Sequence, residues 1–443
     1  MKKLTPIAIL IAVISIANLL SNSFYKRFDL TSDKRYTLSE ATNTILQSID
    51  DPVVVKVYLE GDFPSEFKRL QTETRQHLEE LKALNNNIRF KFIDPLDQAE
   101  ELIKNGLQAS RLSTQEAGNV SETIIFPWAT VTYKDKTENV SLLATQTTTT
   151  QEEQLQGSIQ NLEYAFSDAL HKVSSDKKQT IAIIKGNGEL DDIYVASFLR
   201  KLNEYYKLAP FTLDSVSRNP QKTLAQLSNY DLAIIAKPTE RFTEEEKFTL
   251  DQFITNGGKS LWLVDNVVAE LDSLMQTGET LAYNRDLNIT DLLFSYGVRL
   301  NYDLVKDMYS STIRLASGNV GDQTQYQEFL WQYYPVITAP DGHTITTNIE
   351  AVNLKFASSI DTLKNGIHKT ALLKSSKLSK PIGTPTLLAL EEISKKPVPT
   401  DYNNGNQLVG ILLEGNFKSA YADRVKPFET TLLKEKSSPN KMV

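Results

Sequence analysis

The chain has 443 residues, more than one hydrophobic core usually organises, so two or three domains are expected; 40% hydrophobic and 23% charged residues exclude a disordered chain. The net charge is −7, with every Asp and Glu after Phe24 and Lys2 and Lys3 before it, and an acidic body of this kind excludes nonspecific nucleic-acid binding by repelling phosphates. The lack of cysteine excludes disulfides, thiolate catalysis, Cys-ligated zinc and a cysteine-linked lipid anchor.

Leu4 to Phe24 carry no charge and, as a helix, span about the hydrocarbon thickness of a bilayer. Lys2 and Lys3 in front of this run predict a transmembrane anchor over residues 1–24 with its N-terminus in the cytoplasm. Lys26 and Arg27 on the far side reduce the asymmetry. Ser21 and Ser23 support the rival reading of a cleaved signal peptide. Either way the bulk of the chain is expected in the periplasm, tied to the inner membrane in the first case.

Residues 25–50 read as a juxtamembrane linker leading to a helix capped by Ser39. A first domain over residues 51–175 opens with a strand, Val53 to Leu59, and continues with an amphipathic helix from Ser65 to Asn85. Phe67, Leu70, Thr74, Leu78 and Leu81 form the buried stripe of that helix. Ile88 to Ile93 alternates as a strand, and a short helix follows near Gln98 to Asn105. Thr123 to Tyr133 and Val140 to Leu143 then make a hairpin around Lys134, Asp135 and Lys136. This order looks like a thioredoxin-like α/β domain with Pro127 at the cis-proline position, although no C-x-x-C is present. A long helix from Glu152 to Val173 buries Leu155, Ile159, Leu162, Phe166 and Leu170.

A second domain over residues 176–300 carries near-continuous apolar runs at Ile181–Lys185, Asp231–Ala236 and Ser260–Asp265, with a weaker strand at Leu208–Leu213. Helices over Leu190–Tyr206 and Thr243–Asn256 alternate with them. Strands buried on both faces indicate an open doubly wound, flavodoxin- or amidotransferase-like α/β domain. Residues 301–443 read as its mixed α/β extension, with strands at Val352–Ala357, Thr370–Leu373, Thr386–Leu390 and Leu408–Leu413 and no capping element at the last residues.

Gly257-Gly258-Lys259-Ser260 lacks the upstream glycine of a phosphate loop, follows a helix instead of a strand, and reads as a glycine helix stop. Gly186-Asn187-Gly188-Glu189 does link a strand to a helix. Position 191 is Asp rather than the third glycine of a dinucleotide fingerprint, and Glu189, Asp191 and Asp192 would repel a pyrophosphate. With Lys237, Asp265 and Asn266 these residues lie at strand ends where open α/β sheets bind ligands, and they form a candidate polar pocket; helix capping and loop solvation are the plainer account. Trp331, Tyr333 and Tyr334 are candidate partner-binding anchors, against core packing as their commoner fate. His77, His171, His343 and His368 lack metal-ligand spacing, and the two helical ones are expected at partly exposed edges. No catalytic constellation, cofactor or metal is assigned.

Six blocks carry a resemblance: RFDLTSDKRYTLS from Arg27, VYLEGDFPSEFKRLQ from Val57, KGNGELDD from Lys185, LDQFITNGGKSLWLVD from Leu250, LLFSYGVRLN from Leu292 and LLEGNFKSAY from Leu412. They resemble the GldG family, gliding-motility-associated auxiliary components of Bacteroidetes ABC transporters. The resemblance implies a non-catalytic accessory subunit working with separate permease and ATPase subunits in gliding and associated protein secretion. It also implies a doubly wound domain similar to one in an intraflagellar transport protein and related to glutamine-amidotransferase folds, whose cysteine nucleophile this chain lacks. Family members usually end in a second hydrophobic helix, and nothing after Phe24 here is long enough to span a membrane. The alternatives are an envelope ligand-binding module of degenerate hydrolase type and a structural envelope spacer.

Overall fold

The computed structural model describes residues 38–61, 65–116, 119–143, 150–320, 323–339, 343–347, 349 and 351–443. The expected anchor, the signal-peptide alternative and the first half of the linker, residues 25–37, lie outside the described residues. Among those described, no helix is long and apolar enough to cross a membrane. The chain divides into two compact units, residues 1–176 and 177–443.

In the first unit Ser39 caps α1 (Glu40–Gln47) by accepting a hydrogen bond from Thr42 N at 3.2 Å. Strand β1 (Val53–Val57), helix α2 (Ser65–Leu84) and strand β2 (Ile88–Phe92) follow, then α3 (Ala99–Lys104). All five positions of the expected α2 stripe are buried. A hairpin that the sequence does not announce comes next, β3 (Ser110–Glu116) with β4 (Asn119–Ile125). The expected single strand over Thr123–Tyr133 is therefore two, broken at Phe126-Pro127, because Pro127 has no N–H to give a ladder. Strands β5 (Trp128–Tyr133) and β6 (Lys136–Ser141) close the main sheet in the order β2-β1-β5-β6. Its first pair is parallel and the rest antiparallel, the arrangement expected of a β-α-β unit followed by a hairpin. The bond before Pro127 is not cis. The expected long helix is α4 (Gln151–Gln160) and α5 (Leu162–Ser174), separated at Asn161. Its five stripe residues still enter one core with β1, β5 and α2.

The second unit is built on a seven-stranded sheet. Strand β7 (Thr180–Lys185), helix α6 (Asp192–Asn203), strand β8 (Lys207–Thr212), helix α7 (Pro220–Leu227), strand β9 (Leu232–Ala236), helix α8 (Glu244–Thr255) and strand β10 (Lys259–Leu263) give its parallel part. Successive residues of β7 feed opposite faces: Ala182 and Ile184 meet α8, while Ile181 and Ile183 meet Leu199 and Leu202 of α6. Helix α8 ends at the glycine stop, where a side chain on Gly258 would run into the Phe253 ring.

After β10 come β11 (Val267–Val268), α9 (Leu271–Thr277), β12 (Glu279–Asn284), α10 (Thr290–Tyr296), β13 (Val298–Leu300), β14 (Asp303–Asp307) and the long ribbon β15 (Ser310–Val320) with β16 (Gln323–Ile337). Short strands follow: β17 (Val352–Asn353), β18 (Ile360–Thr362), β19 (His368–Lys374), β20 (Ser379–Gly383) and β21 (Thr386–Ala389). Finally β22 (Leu408–Gly415) and β23 (Asn440–Met442) return to the large sheet, whose order is β19-β22-β23-β10-β9-β7-β8. The last strand therefore lies inside the sheet, parallel to β10 and antiparallel to β22.

Helix α8 is buried from Glu246 to Thr255, polar positions included. Asp251, 0% exposed, accepts from Ser419 Oγ at 2.5 Å, Ala420 N at 2.8 Å and Tyr296 Oη at 2.8 Å. Lys247 pairs with Asp291 at 2.9 Å and Glu244 at 3.0 Å. The segment between β22 and β23 wraps this helix, satisfying its polar groups instead of leaving them to water.

Trp331, Tyr333 and Tyr334, candidates for partner binding, are 0%, 2% and 3% exposed. They form a second core of this unit with Ile313, Leu304, Phe356 and Leu388. This part of β16 is covered on both faces, so the aromatic residues pack a core and offer no docking surface. His77 is likewise buried in α2, not at an exposed edge.

Candidate functional site

The site expected at the strand ends is two separate places. The loop after β7 is closed. Asn187 is 3% exposed, and its carbonyl accepts from both Thr239 N and Glu240 N at 2.9 Å, clamping it to the loop after β9. Its Nδ2 donates to Glu246 Oε2 at 3.0 Å, the same carboxylate oxygen that accepts from Thr243 N in the capping box of α8. Gly188 has φ +70° and leaves room for the Thr239 hydroxyl, which donates to its carbonyl at 2.9 Å. Glu189 Oε2 accepts from Asn187 N at 2.9 Å, and burial pushes its carboxyl above the usual range. Gly186, Asn187, Gly188 and Glu189 thus form a structural knot across the switch point between β7 and β9.

Lys237, Asp265 and Asn266 do come together. Lys237 adopts φ +54° and donates its N–H to Leu263 O at 2.7 Å, which turns its side chain over the end of β10. Its Nζ lies 3.3 Å from Asp265 Oδ2 and 3.3 Å from Glu270 Oε1. Burial works against the Lys237 charge, but the two carboxylates overcome it and hold the ammonium above its ordinary pKa. Burial also raises Asp265, with Lys237 opposing. Arg285, 10% exposed at its side chain, adds a second cation 3.7 Å from Glu270. Asn266 is buried, and its Nδ2 donates to the carbonyls of Leu300 and Asn301 at 3.3 and 3.2 Å. These charges are spent on one another, as in a structural ion cluster. Among the described residues no group of acidic, His or Cys side chains could hold a metal ion.

Lys237, Asp265 and Asn266 border a cavity of about 370 Å³. Its walls are mainly apolar, from Trp262 of β10, Val298 of β13, Ile360 of β18, Leu372 of β19, Ile411 of β22 and Met442 of β23. The expected polar pocket is in fact an apolar chamber with a charged border. The loop after β7 does not line it. The chamber is not visible in the sequence because its walls come from β10, β13, β18, β19, β22 and β23, and no local pattern shows that these distant strands meet.

A family model described as an ABC-type uncharacterised transport system matches residues 178–443, well over half of the chain. The chain belongs to this family of ABC transport auxiliary components. A domain family of unknown function matches residues 32–132. An uncharacterised protein of Borreliella burgdorferi is 21% identical over 408 residues, spanning 90% of this chain and 74% of that protein. Among solved structures, the mmIFT52 N-terminal domain is 14% identical, with 59% of this chain and 84% of that one covered and a TM-score of 0.33. At that score the likeness carries no argument about shape or role. The family description names ABC-type transport and no gliding role.

Proposed function

We propose that this auxiliary component is a non-catalytic, membrane-anchored subunit that works from the periplasmic side with a permease and an ATPase, in the service of gliding motility and associated protein secretion. The observation that carries the reading is the family match over 178–443, which covers the whole second unit's sheet. The reading is supported by the pairing of Lys237 and Arg285 with Asp265 and Glu270 and by the tie of Glu189 to its own loop. The apolar run before Phe24 supplies the proposed anchor, and the GldG-like blocks supply the gliding role.

The test is purification of the full-length protein from native membranes in mild detergent after brief crosslinking. A permease and a nucleotide-binding subunit are expected in the same complex. Recovery of neither, from membranes that contain both, would remove the transporter role. Loss of gliding in a deletion strain, restored by the intact gene, is expected for the finer assignment; a deletion strain that still glides would confine the role to transport.

A further inference from the structure

We infer that the uncovered face of the first unit's sheet docks on an anionic bilayer surface. The contact rests on the membrane-anchored reading above for its tether, and the two can fail separately. Side chains alternate along a strand, so β1 buries Val53, Val55 and Val57 on one face and turns Val54 and Lys56 to the other. The register sets Lys56 directly beside Lys91 of β2, with Arg89 two positions along the same strand and on the same face. Helix α3 and the loop after it close over Tyr58, Ile93 and Trp128 at one end of this face. Beyond them Val54, Arg89 and Lys91 stay exposed.

Charge selects the partner. Like charges side by side in a sheet repel, and here nothing neutralises them. Strands β1, β2, β5 and β6 direct no Asp or Glu to this face, and among the described residues Lys56, Arg89 and Lys91 have no carboxylate partner. Nearby Lys134, by contrast, pairs with Asp51 at 3.0 Å. In a chain of net charge −7, an anionic surface attracts this unmatched row and repels the remainder, which sets the orientation of approach. The absence of an apolar anchor favours a bilayer over an acidic protein. Protein partners anchor on aromatic or apolar side chains, and away from α3 the one apolar side chain here is Val54.

The tether permits the contact. The chain enters α1 on the helical side of the sheet, where Ser39 N donates to Glu163 of α5 at 2.7 Å. Tyr25 to Leu38 are 14 residues, which fully extended reach about 48 Å, several times the 10–12 Å or so of a helix's thickness.

The chain lacks cysteine, so Thr137→Cys on this face and Thr72→Cys on α2, in the opposite layer, each take a single fluorophore. The labelled full chain is placed in vesicles containing a rhodamine-headgroup lipid. Energy transfer from position 137 should rise when phosphatidylglycerol replaces one-third of the phosphatidylcholine. The rise should vanish near 1 M salt, where the screening length is about 3 Å. Transfer from position 72 should not rise. Lys56→Gln, Arg89→Gln and Lys91→Gln should each lower the docked-to-undocked ratio about fivefold, and the triple variant about a hundredfold. The triple variant should melt no lower than the parent, because only mutually repelling charges are removed. Transfer at position 137 that ignores lipid charge, persists in the folded triple variant, or rises equally at position 72 would overturn the inference. So would a photo-crosslinker at position 137 that captures a protein and no lipid in native membranes. Flotation on pure phosphatidylcholine vesicles reports the anchor alone. A chain that floats only with the anionic vesicles keeps the docking face and loses the anchor; one that floats with neither loses both.

Discussion

His77 lies on α2 with its ring 5.8 Å from that of Phe166, and its Nε2 has no partner among the described residues. Burial lowers its pKa to about 4, against a smaller upward pull from the Glu163 carboxylate. The unfolded imidazole takes up a proton near pH 6.5 and the folded one only near 4. Its contribution to stability is therefore complete above about pH 6.5 and declines as pH falls towards 4, by about 3 kcal/mol in all. Glu163 acts in the same direction. Burial would raise its carboxyl, but hydrogen bonds from Thr42 and Ser39 hold it low, so its contribution is lost as pH falls below its unfolded pKa. Hydrogen-exchange protection of α2 should fall between pH 7 and pH 5, and His77→Leu should remove most of that fall. An identical pH response in the variant would clear His77 of the effect. Trp331 gives a second residue-scale expectation. As a core residue, Trp331→Ala should cost about 3–5 kcal/mol in urea unfolding, whereas an exposed docking anchor would lose within about 0.5.

Among the elements, β23 makes the sharpest demand. Met442 is 4% exposed and enters the core with Leu413 and Phe253, while Asn440 Nδ2 donates to Ile254 O at 2.9 Å and Gly258 O at 2.8 Å. Met442→Lys puts an unpaired charge in that core, and the second unit should become protease-sensitive and insoluble. Asn440→Ala removes a donor from both carbonyls, of which Ile254 O keeps the Gly257 N–H at 3.1 Å, and should cost about 1–2 kcal/mol, read as a lower denaturation midpoint. Little of this was legible in advance, because Asn440-Lys441-Met442 has neither length nor periodicity. The α2 stripe and strands β7, β9 and β10 were legible for the opposite reason: local pattern alone decides their burial. Buried Lys247 and Asp251 would by pattern belong to solvent, and only partners from Asp291 and Ser419 make them interior residues. For the candidate site, Lys237, Asp265 and Asn266 border one cavity, while the Asn266 amide is taken up by the carbonyls of Leu300 and Asn301. The sequence could not tell that Asn187 is clamped to the loop after β9 or that the space beside Lys237 is apolar.

On the scale of the whole molecule, the units differ in how far they reach along the chain for their parts. The first unit's sheet is complete by Ser141, and its core needs only the helices that follow directly. Among the described residues the second unit holds one core on each face of its large sheet and a further one in the β-rich lobe, which lies in the chain between β10 and β22. A stretch of roughly 180 residues separates the end of β10 from its neighbour β23. During synthesis at about 5–20 residues per second, β10 would show a bare, apolar edge for roughly ten to forty seconds before residue 442 arrives. Such an edge is a template for pairing with other chains. The cell that makes this protein must therefore hold a half-finished sheet apart from its neighbours for longer than most small domains take to fold.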